Sequence, residues 1–131
     1  MKFWKLINGE FPNVPKGYIF VFGSNLAGRH GLGAALTAAK YFGAVRGVGL
    51  GRTGNAYAIA TKGRNLEPLP LFEIETYAKD FVKHANDNPG TNFFLTRIGC
   101  GLRGLKDAQV APLFKGIGDN VLAPEAWRPY L

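Results

Sequence analysis

The chain has 131 residues, 47% of them hydrophobic, so it is large and apolar enough for one globular domain over residues 1–131 and does not resemble a disordered chain. A net charge of +7, from 16 Lys and Arg against 9 Asp and Glu, favours anionic ligands such as nucleotides, diphosphates or nucleic acid. The single cysteine excludes an internal disulfide, and no apolar run reaches the roughly 20 residues that span a bilayer. The N-terminus shows no signal-peptide pattern, so we expect a cytoplasmic protein that makes no membrane contact.

Hydrophobic spacing predicts strands that alternate with helices, which is typical of an α/β fold with a mixed, mostly parallel central sheet. The predicted strands cover residues 2–8, 18–22, 45–48, 56–61 and 92–96. The predicted helices cover residues 34–42, the stretch from Leu71 to the Asn88-Pro89-Gly90 turn, and residues 108–117. Residues 49–54 are expected to form a mobile loop, and residues 118–131 an irregular segment on the surface.

The first glycine loop, residues 23–33, lies between a predicted buried strand and a predicted helix. This order leaves free backbone N–H groups and the positive end of a helix dipole at the loop, which is a natural phosphate site. Glycine also lets the backbone approach a ligand closely. We predict ligand contacts from Gly23, Ser24, Asn25, His30, Gly31, Leu32 and Gly33.

The second glycine loop, residues 97–104, repeats this layout after the strand at 92–96, and Asp107 is predicted to cap the helix that follows. Two such units can place two helix N-termini at the carboxyl ends of neighbouring strands, where ligands bind in open α/β sheets. A diphosphate held between the loops would contact both. The predicted ligand residues of this loop are Ile98, Gly99, Cys100, Gly101, Leu102, Arg103 and Gly104.

Neither loop carries a familiar nucleotide signature. There is no GxxxxGK[ST] motif, which argues against a P-loop NTPase. The spacing of Gly28, Gly31 and Gly33 is not GxGxxG, and no acidic residue follows at the ribose position, which argues against a dinucleotide site. Glycines at strand ends often form only tight turns, but the two loops together favour phosphate binding.

Few residues in the sequence could carry catalysis. His30 lies inside the first glycine loop, where it could contact ligand or act as an acid or base, although a histidine satisfied locally is an equally good interpretation. His84 is expected on the surface of the second helix. Cys100 lies beside a predicted helix start, where a thiol pKa can fall, but no residue supplies a base, so we interpret it as a small residue beside the ligand. We predict no metal site and no cofactor.

Several motifs resemble the macrodomain family, which binds ADP-ribose, and in particular its branch of terminal ADP-ribose glycohydrolases. The likeness lies in Arg29–Ala35, continuing to Lys40–Gly43, in Ala58–Lys62, and most specifically in Arg97–Leu102. It extends over roughly residues 18–114. The string GSNLAGRHG also resembles small, mostly uncharacterised phage and bacterial proteins.

The resemblance implies a three-layer fold and an ADP-ribose site, with Lys62 as the family lysine that attacks C1″ of the distal ribose. It also implies that ADP-ribosylated protein or nucleic acid is the substrate of any hydrolase activity. The chain departs from the family where an aspartate assists this lysine, because Arg103 stands at that position. Binding alone and weak hydrolysis are therefore both open. A rival hypothesis from another class is a basic nucleic-acid-binding or protein-binding module of phage or host-defence context.

Overall fold

The computed structural model describes residues 1–101 and 103–131. In this part of the chain the strands are β1 (Lys2–Trp4), β2 (Ile19–Asn25), β3 (Gly51–Thr53), β4 (Ala56–Lys62), β5 (Phe93–Leu95) and β6 (Val121–Pro124). The α-helices are α1 (Gly33–Tyr41), α2 (Leu71–Asp87) and α3 (Asp107–Val110), and 3-10 helices cover Ala111–Phe114 and Glu125–Tyr130. None of the described helices is both long and apolar enough to cross a membrane.

The six strands form one mixed sheet in the order β1-β6-β5-β2-β4-β3. All neighbouring pairs are parallel except β3 with β4, which is antiparallel. The α1 helix covers one face of the sheet, and α2 covers the other together with the C-terminal helical turns. These layers confirm the predicted α/β class with a mixed central sheet flanked by helices.

The central strand β2 is buried on both faces, and its side chains alternate between two cores. Ile19 and Val21 pack in the core beneath α2, whereas Phe20 and Phe22 pack in the core beneath α1. This explains why β2 is continuously apolar in sequence, as strands covered on both faces are. The polar end of the strand, Ser24 and Asn25, reaches the edge of the sheet where the first glycine loop begins.

The two longer helices bury different kinds of surface. In α1 the buried residues are Ala35 and Ala38, whose small side chains allow the helix to lie close to the sheet. In α2 the buried residues Ile74, Ala78, Phe81 and Ala85 recur at helical spacing. The exposed side of α2 carries ion pairs between residues four positions apart, such as Lys79 with Glu75.

Two predictions for residues 45–54 are wrong. Residues 45–48 form a turn rather than a strand, and residues 51–53 form the edge strand β3 rather than a mobile loop. The N–H of Val45 donates to Oγ1 of Thr53 at 3.0 Å, so this segment is tied to β3 by a side chain rather than by a strand ladder. Short glycine-rich segments carry too little hydrophobic pattern to show which of them pairs.

The C-terminal predictions also need correction. The helix expected at 108–117 ends as α-helix at Val110 and continues as a 3-10 turn, because Pro112 has no N–H to donate. The predicted surface segment at 118–131 instead contains β6, which pairs with both β1 and β5. The Trp127 side chain behind it is fully buried. The first strand is shorter than expected and ends at Trp4.

Candidate functional site

A cleft of about 1000 Å³ opens beside the carboxyl ends of β2 and β4. This volume lies at the upper end of the roughly 300–1,000 Å³ typical of small-molecule sites. The cleft brings together most residues predicted from the sequence. It is lined by Gly23, Ser24, Asn25, Gly31, Leu32, Gly33, Lys62, Ile98, Gly99, Cys100, Gly101 and Arg103.

Three predicted site residues are not among the described cleft lining. His30 is 1% exposed, its Nε2 lies 3.2 Å from the carbonyl oxygen of Val45, and its ring meets the edge of Phe22. Gly104 lies in the turn after the cleft wall, where its N–H donates to the carbonyl of Gly101 at 3.0 Å. Leu102 lies outside the described residues. The structure therefore gives His30 a place in the core behind the first glycine loop.

The first glycine loop is held by neutral groups. The side chain of Asn25 closes a ring with the backbone of Arg29, donating from Nδ2 to its carbonyl and accepting from its N–H at Oδ1, each at 2.9 Å. Asn25 is 8% exposed and its amide bonds to the backbone of Arg29, so its role in this structure is to hold the loop in shape. Its predicted contact with a ligand stays a prediction.

A second segment supports this loop from behind, and the sequence did not reveal it. A Cβ on Gly28 would lie 2.3 Å from the backbone carbon of Gly47, and a Cβ on Gly49 would lie 2.0 Å from the carbonyl oxygen of Asn25. Such distances are not tolerated, so only glycine fits at these two contacts. The closely spaced glycines Gly47 and Gly49 could have indicated such packing, since neither lies in a helix or a strand.

The N-terminus of α1 points into the cleft without a side-chain cap. Leu32 occupies the N-cap position, and its side chain makes no capping hydrogen bond. The first turn, Gly33 to Ala35, lines the cleft and contains no acidic residue. The free N–H groups and the helix dipole there attract an anion.

The second glycine loop is held by charge, and Asp107 has a different role from the predicted cap. Lys106 is the N-cap residue of α3, and its N–H donates to Oε1 of Gln109. The carboxylate of Asp107 instead accepts from Arg97 Nε at 3.0 Å, from Arg97 Nη2 at 2.7 Å and from Trp127 Nε1 at 2.7 Å. The predicted second helix N-terminus is therefore not available, because α3 is only four residues long and already capped.

This bonding alters the chemistry of Asp107 and Cys100. The hydrogen bonds from Arg97 are the main reason that the pKa of Asp107 is lowered from its ordinary value of 3.8. Burial, followed by the hydrogen bond to Asp107, raises the pKa of the Cys100 thiol to about 12, although Arg97 acts in the opposite direction. Cys100 therefore remains a neutral thiol at physiological pH, and proximity to a helix start does not activate it.

No described residue that lines the cleft is acidic, whereas four are basic: Arg29, Lys62, Arg97 and Arg103. Arg97 is neutralised by Asp107, but no ion pair is formed by Lys62 or Arg103 within the described part of the chain. One nitrogen of Arg103, Nη2, donates to the carbonyl of Leu69 at 3.0 Å. The cleft is therefore suited to an anion and offers no carboxylate of its own as a base.

One wall of the cleft is aromatic. Phe94, Phe20 and Phe42 line it with near-parallel rings, at centroid distances of 6.2 Å between Phe94 and Phe20 and 4.5 Å between Phe20 and Phe42. Trp4 continues the row, and Phe11, which is 69% exposed, lies 5.5 Å from Trp4. Such a wall is suited to a flat ring. No local sequence pattern indicates this wall, because its members come from separate segments of the chain.

The remaining histidine, His84, is partly buried against Tyr57 and Phe93 rather than fully on the surface. In the described residues, no group of three or more His, Cys, Asp or Glu side chains could hold a metal. Comparison with known proteins identifies no family: no family model matches the chain, and no curated protein matches it significantly. The likeness to macrodomains therefore stays a prediction.

Proposed function

We propose that the cleft binds ADP-ribose or a close derivative of it. The observation that carries this proposal is the presence of two unlike sets of groups in one cleft of about 1000 Å³. One set is an uncapped helix N-terminus with cations that form no described ion pair, and the other set is a row of aromatic rings. A ligand with both a diphosphate and a flat base would use both sets.

The diphosphate is assigned to the two glycine loops. The N–H groups of Gly33 to Ala35 would hold one phosphate, and the open backbone around Gly101 would approach the other. Apart from its chain neighbours, no described residue lies within 4 Å of a Cβ placed on Gly101, which leaves room for ligand there. Lys62 and Arg103 add positive charge from the side.

The base is assigned to the aromatic wall. Stacking on Phe42 and Phe11 would bury the base against apolar surface and exclude water from it. A mononucleotide such as AMP could place its base on the aromatic wall and its phosphate on one glycine loop. Its single phosphate could not contact both loops. The proposal therefore requires ADP-ribose to bind more tightly than AMP.

Binding is proposed as the main activity and hydrolysis as weak at best. In an ADP-ribosyl ester, the Lys62 amine would form a bond to C1″ while the acceptor carboxylate leaves, and water would then release the sugar from the lysine. The amine must first lose a proton, and no described carboxylate lines the cleft to accept it. Arg103 cannot serve as that base, because guanidinium stays protonated in proteins.

The proposal is tested by calorimetry with ADP-ribose, ADP, NAD and AMP. We expect a dissociation constant for ADP-ribose on the order of 1–10 μM, about −7 to −8 kcal/mol, and at least tenfold weaker binding of AMP. Equal binding of AMP and ADP-ribose, or no binding of either, would contradict the proposal.

Gly101→Val places a branched side chain in the space assigned to phosphate and should abolish binding while the fold is retained. Gly90→Val is the matched control, because Gly90 is an exposed turn glycine with nothing within 4 Å of its Cβ position. If Gly101→Val still bound ADP-ribose, the assignment of a phosphate to this loop would be wrong.

Hydrolysis is tested separately with an ADP-ribosylated glutamate peptide as substrate. Lys62→Ala should remove any turnover while the affinity for ADP-ribose stays within about tenfold, or roughly 1.4 kcal/mol. Turnover by Lys62→Ala at the unmodified rate would show that the lysine is not the nucleophile. His30 would not replace it without a rearrangement of the loop, because it is 1% exposed.

A further inference from the structure

The net charge of the protein comes from one continuous part of the chain. Residues 11–66 contain seven of the 16 Lys and Arg and none of the 9 Asp and Glu, so the rest of the chain is formally neutral. Every ion pair among the described residues lies outside this range. The positive charge is therefore concentrated and has no carboxylates nearby in sequence to compensate it.

Part of this charge lies around the exposed edge strand β3, separate from the described cleft lining. Arg52 lies opposite Tyr57 on the face covered by α2, where Asp80 is the nearby carboxylate, whereas Lys40 lies on α1. We name this surface the β3 patch and define it by Lys40, Tyr41, Arg46 and Arg52, all of which are exposed. The segments that carry these residues are in contact: the N–H of Asn55 donates to the carbonyl of Phe42 at 2.8 Å, and Val45 is tied to Thr53 as described above. None of these four residues lines the cleft.

The patch also carries an exposed aromatic ring. Tyr41 is 76% exposed at the end of α1, next to Lys40, and Val45 beside Arg46 is 52% exposed. Arg52 is fixed by a hydrogen bond from Nε to the carbonyl of Gly54 at 3.2 Å, which leaves its other guanidinium nitrogens for a partner. Cations that follow a phosphate backbone, together with an exposed ring on which a base can stack, are typical of surfaces that bind single strands.

We propose that the β3 patch binds single-stranded nucleic acid, with Lys40, Arg46 and Arg52 on phosphates and Tyr41 stacked on an unpaired base. An acidic peptide would satisfy the three cations but would give the Tyr41 ring nothing to stack on. A duplex would satisfy the cations but would keep its bases stacked inside. The ring therefore favours a single strand over both.

The test is fluorescence anisotropy with a labelled dT20 oligonucleotide, titrated from 25 to 200 mM NaCl. The triple variant Lys40→Ala/Arg46→Ala/Arg52→Ala should weaken binding at least tenfold. It should also flatten the slope of log affinity against log salt by about 2, because three contacts to a single strand each contribute about 0.7. The double variant Lys40→Ala/Arg46→Ala leaves the hydrogen bond of Arg52 to Gly54 intact, and it breaks no described side-chain hydrogen bond. It should show about two thirds of the change in slope.

The matched control is Lys79→Ala/Lys83→Ala/Lys115→Ala, which removes the same charge from exposed positions outside the patch. It should change the affinity less than threefold. Equal losses in the two triple variants would show that only net charge matters and would overturn the proposal. Absence of dT20 binding by the unmodified protein at 25 mM NaCl would overturn it too.

Tyr41→Ala separates stacking from charge. It should weaken dT20 binding about tenfold with an unchanged salt slope, because stacking on one base does not involve a counterion. The single-strand proposal would be overturned if a dT20·dA20 duplex or poly-glutamate bound as tightly as dT20 and Tyr41→Ala had no effect. The patch would then bind any polyanion. Saturating ADP-ribose should leave dT20 binding unchanged, whereas competition would place the strand in the cleft and reject the patch.

Discussion

The two glycine loops meet at one cleft but are stabilised in opposite ways. The first is held by an amide, Asn25, and by backbone packed against the backbone of Gly47. The second is held by a carboxylate, Asp107, which joins Arg97 before the loop to Trp127 near the C-terminal end. The first loop therefore depends on the absence of side chains, and the second depends on the presence of charge. Loops that follow the same strand–loop layout can thus respond to different perturbations.

The largest expected effect is at the first loop. Gly28→Ala would put a Cβ 2.3 Å from the backbone carbon of Gly47 in a residue with φ of +69°, so both a clash and a left-handed strain result. We expect a loss of about 3 kcal/mol or more in the free energy of unfolding, measured by urea denaturation. Gly31→Ala is the control in the same loop, since nothing lies within 4 Å of its Cβ position. Similar losses in both variants would show that the contact with Gly47 does not stabilise the loop.

A smaller effect is expected from breaking the second loop. Asp107→Asn leaves Arg97 and Trp127 with a weaker, neutral partner at a position that is 25% exposed. We expect a loss of about 2 kcal/mol, seen as a fall of roughly 5–10 °C in the melting temperature. Glu125→Gln removes a comparable two-bond pairing with Arg128 at the surface and should change the melting temperature little. A melting temperature unchanged in Asp107→Asn would contradict the ionic account of this loop.

The pH dependence should sharpen the comparison. The pKa of Asp107 is lowered in the folded state, so its stabilisation is fully present above the unfolded value of 3.8 and is lost as the pH falls through the folded value. The difference in stability between the unmodified protein and Asp107→Asn should therefore be largest near neutral pH and should shrink below pH 3.8. Urea denaturation at pH 7, 5 and 3 measures it. The cost of Gly28→Ala should not follow this trend, because no titrating group takes part in the contact.

The smallest effect on stability is expected at Cys100. Cys100→Ser keeps a donor for Oδ1 of Asp107 and should cost less than about 1 kcal/mol. The network should appear in reactivity instead: with a thiol pKa raised from 9.0 to about 12, alkylation by iodoacetamide at pH 8 should be about a thousandfold slower than in urea. Asp107→Asn should speed the folded-state reaction. Rapid alkylation of the folded, unmodified protein would contradict the assignment of a suppressed thiolate.

Local patterns in the sequence predicted the order of the main elements well. Continuous apolar runs predict β2, β4 and β5, and helical spacing predicts α1 and α2. Asn25 and Lys62 at the carboxyl ends of β2 and β4, and Cys100 in the loop after β5, all line one cleft. Contacts between distant segments could not be predicted in this way. The aromatic wall joins Phe11, Phe20, Phe42 and Phe94, and no local pattern connects them.

The role of Asp107 shows the same limit at a single residue. Its position before a helical pattern predicts a cap, but Arg97 and Trp127 reach it from ten residues earlier and 20 residues later. A bidentate arginine and an indole N–H are stronger partners than the N–H groups at the start of a four-residue helix that Lys106 and Gln109 already cap. When local and distant donors compete for one carboxylate, the tertiary neighbours decide which of them it accepts from. By contrast, the lack of acidic residues over 11–66 could be read directly from the sequence.

The pairing of the first strand with the last has a consequence for biosynthesis. Lys2 pairs with Leu122, so β1 has no neighbour in the sheet until β6 has been made. At about 5–20 residues per second, a ribosome takes roughly 6–24 s to cover that distance. Throughout this interval the nascent chain carries Trp4 without the strand beside which it will be buried, and chaperones can reach it. The speed of translation, and not only the stability of the finished sheet, therefore enters the yield of folded protein.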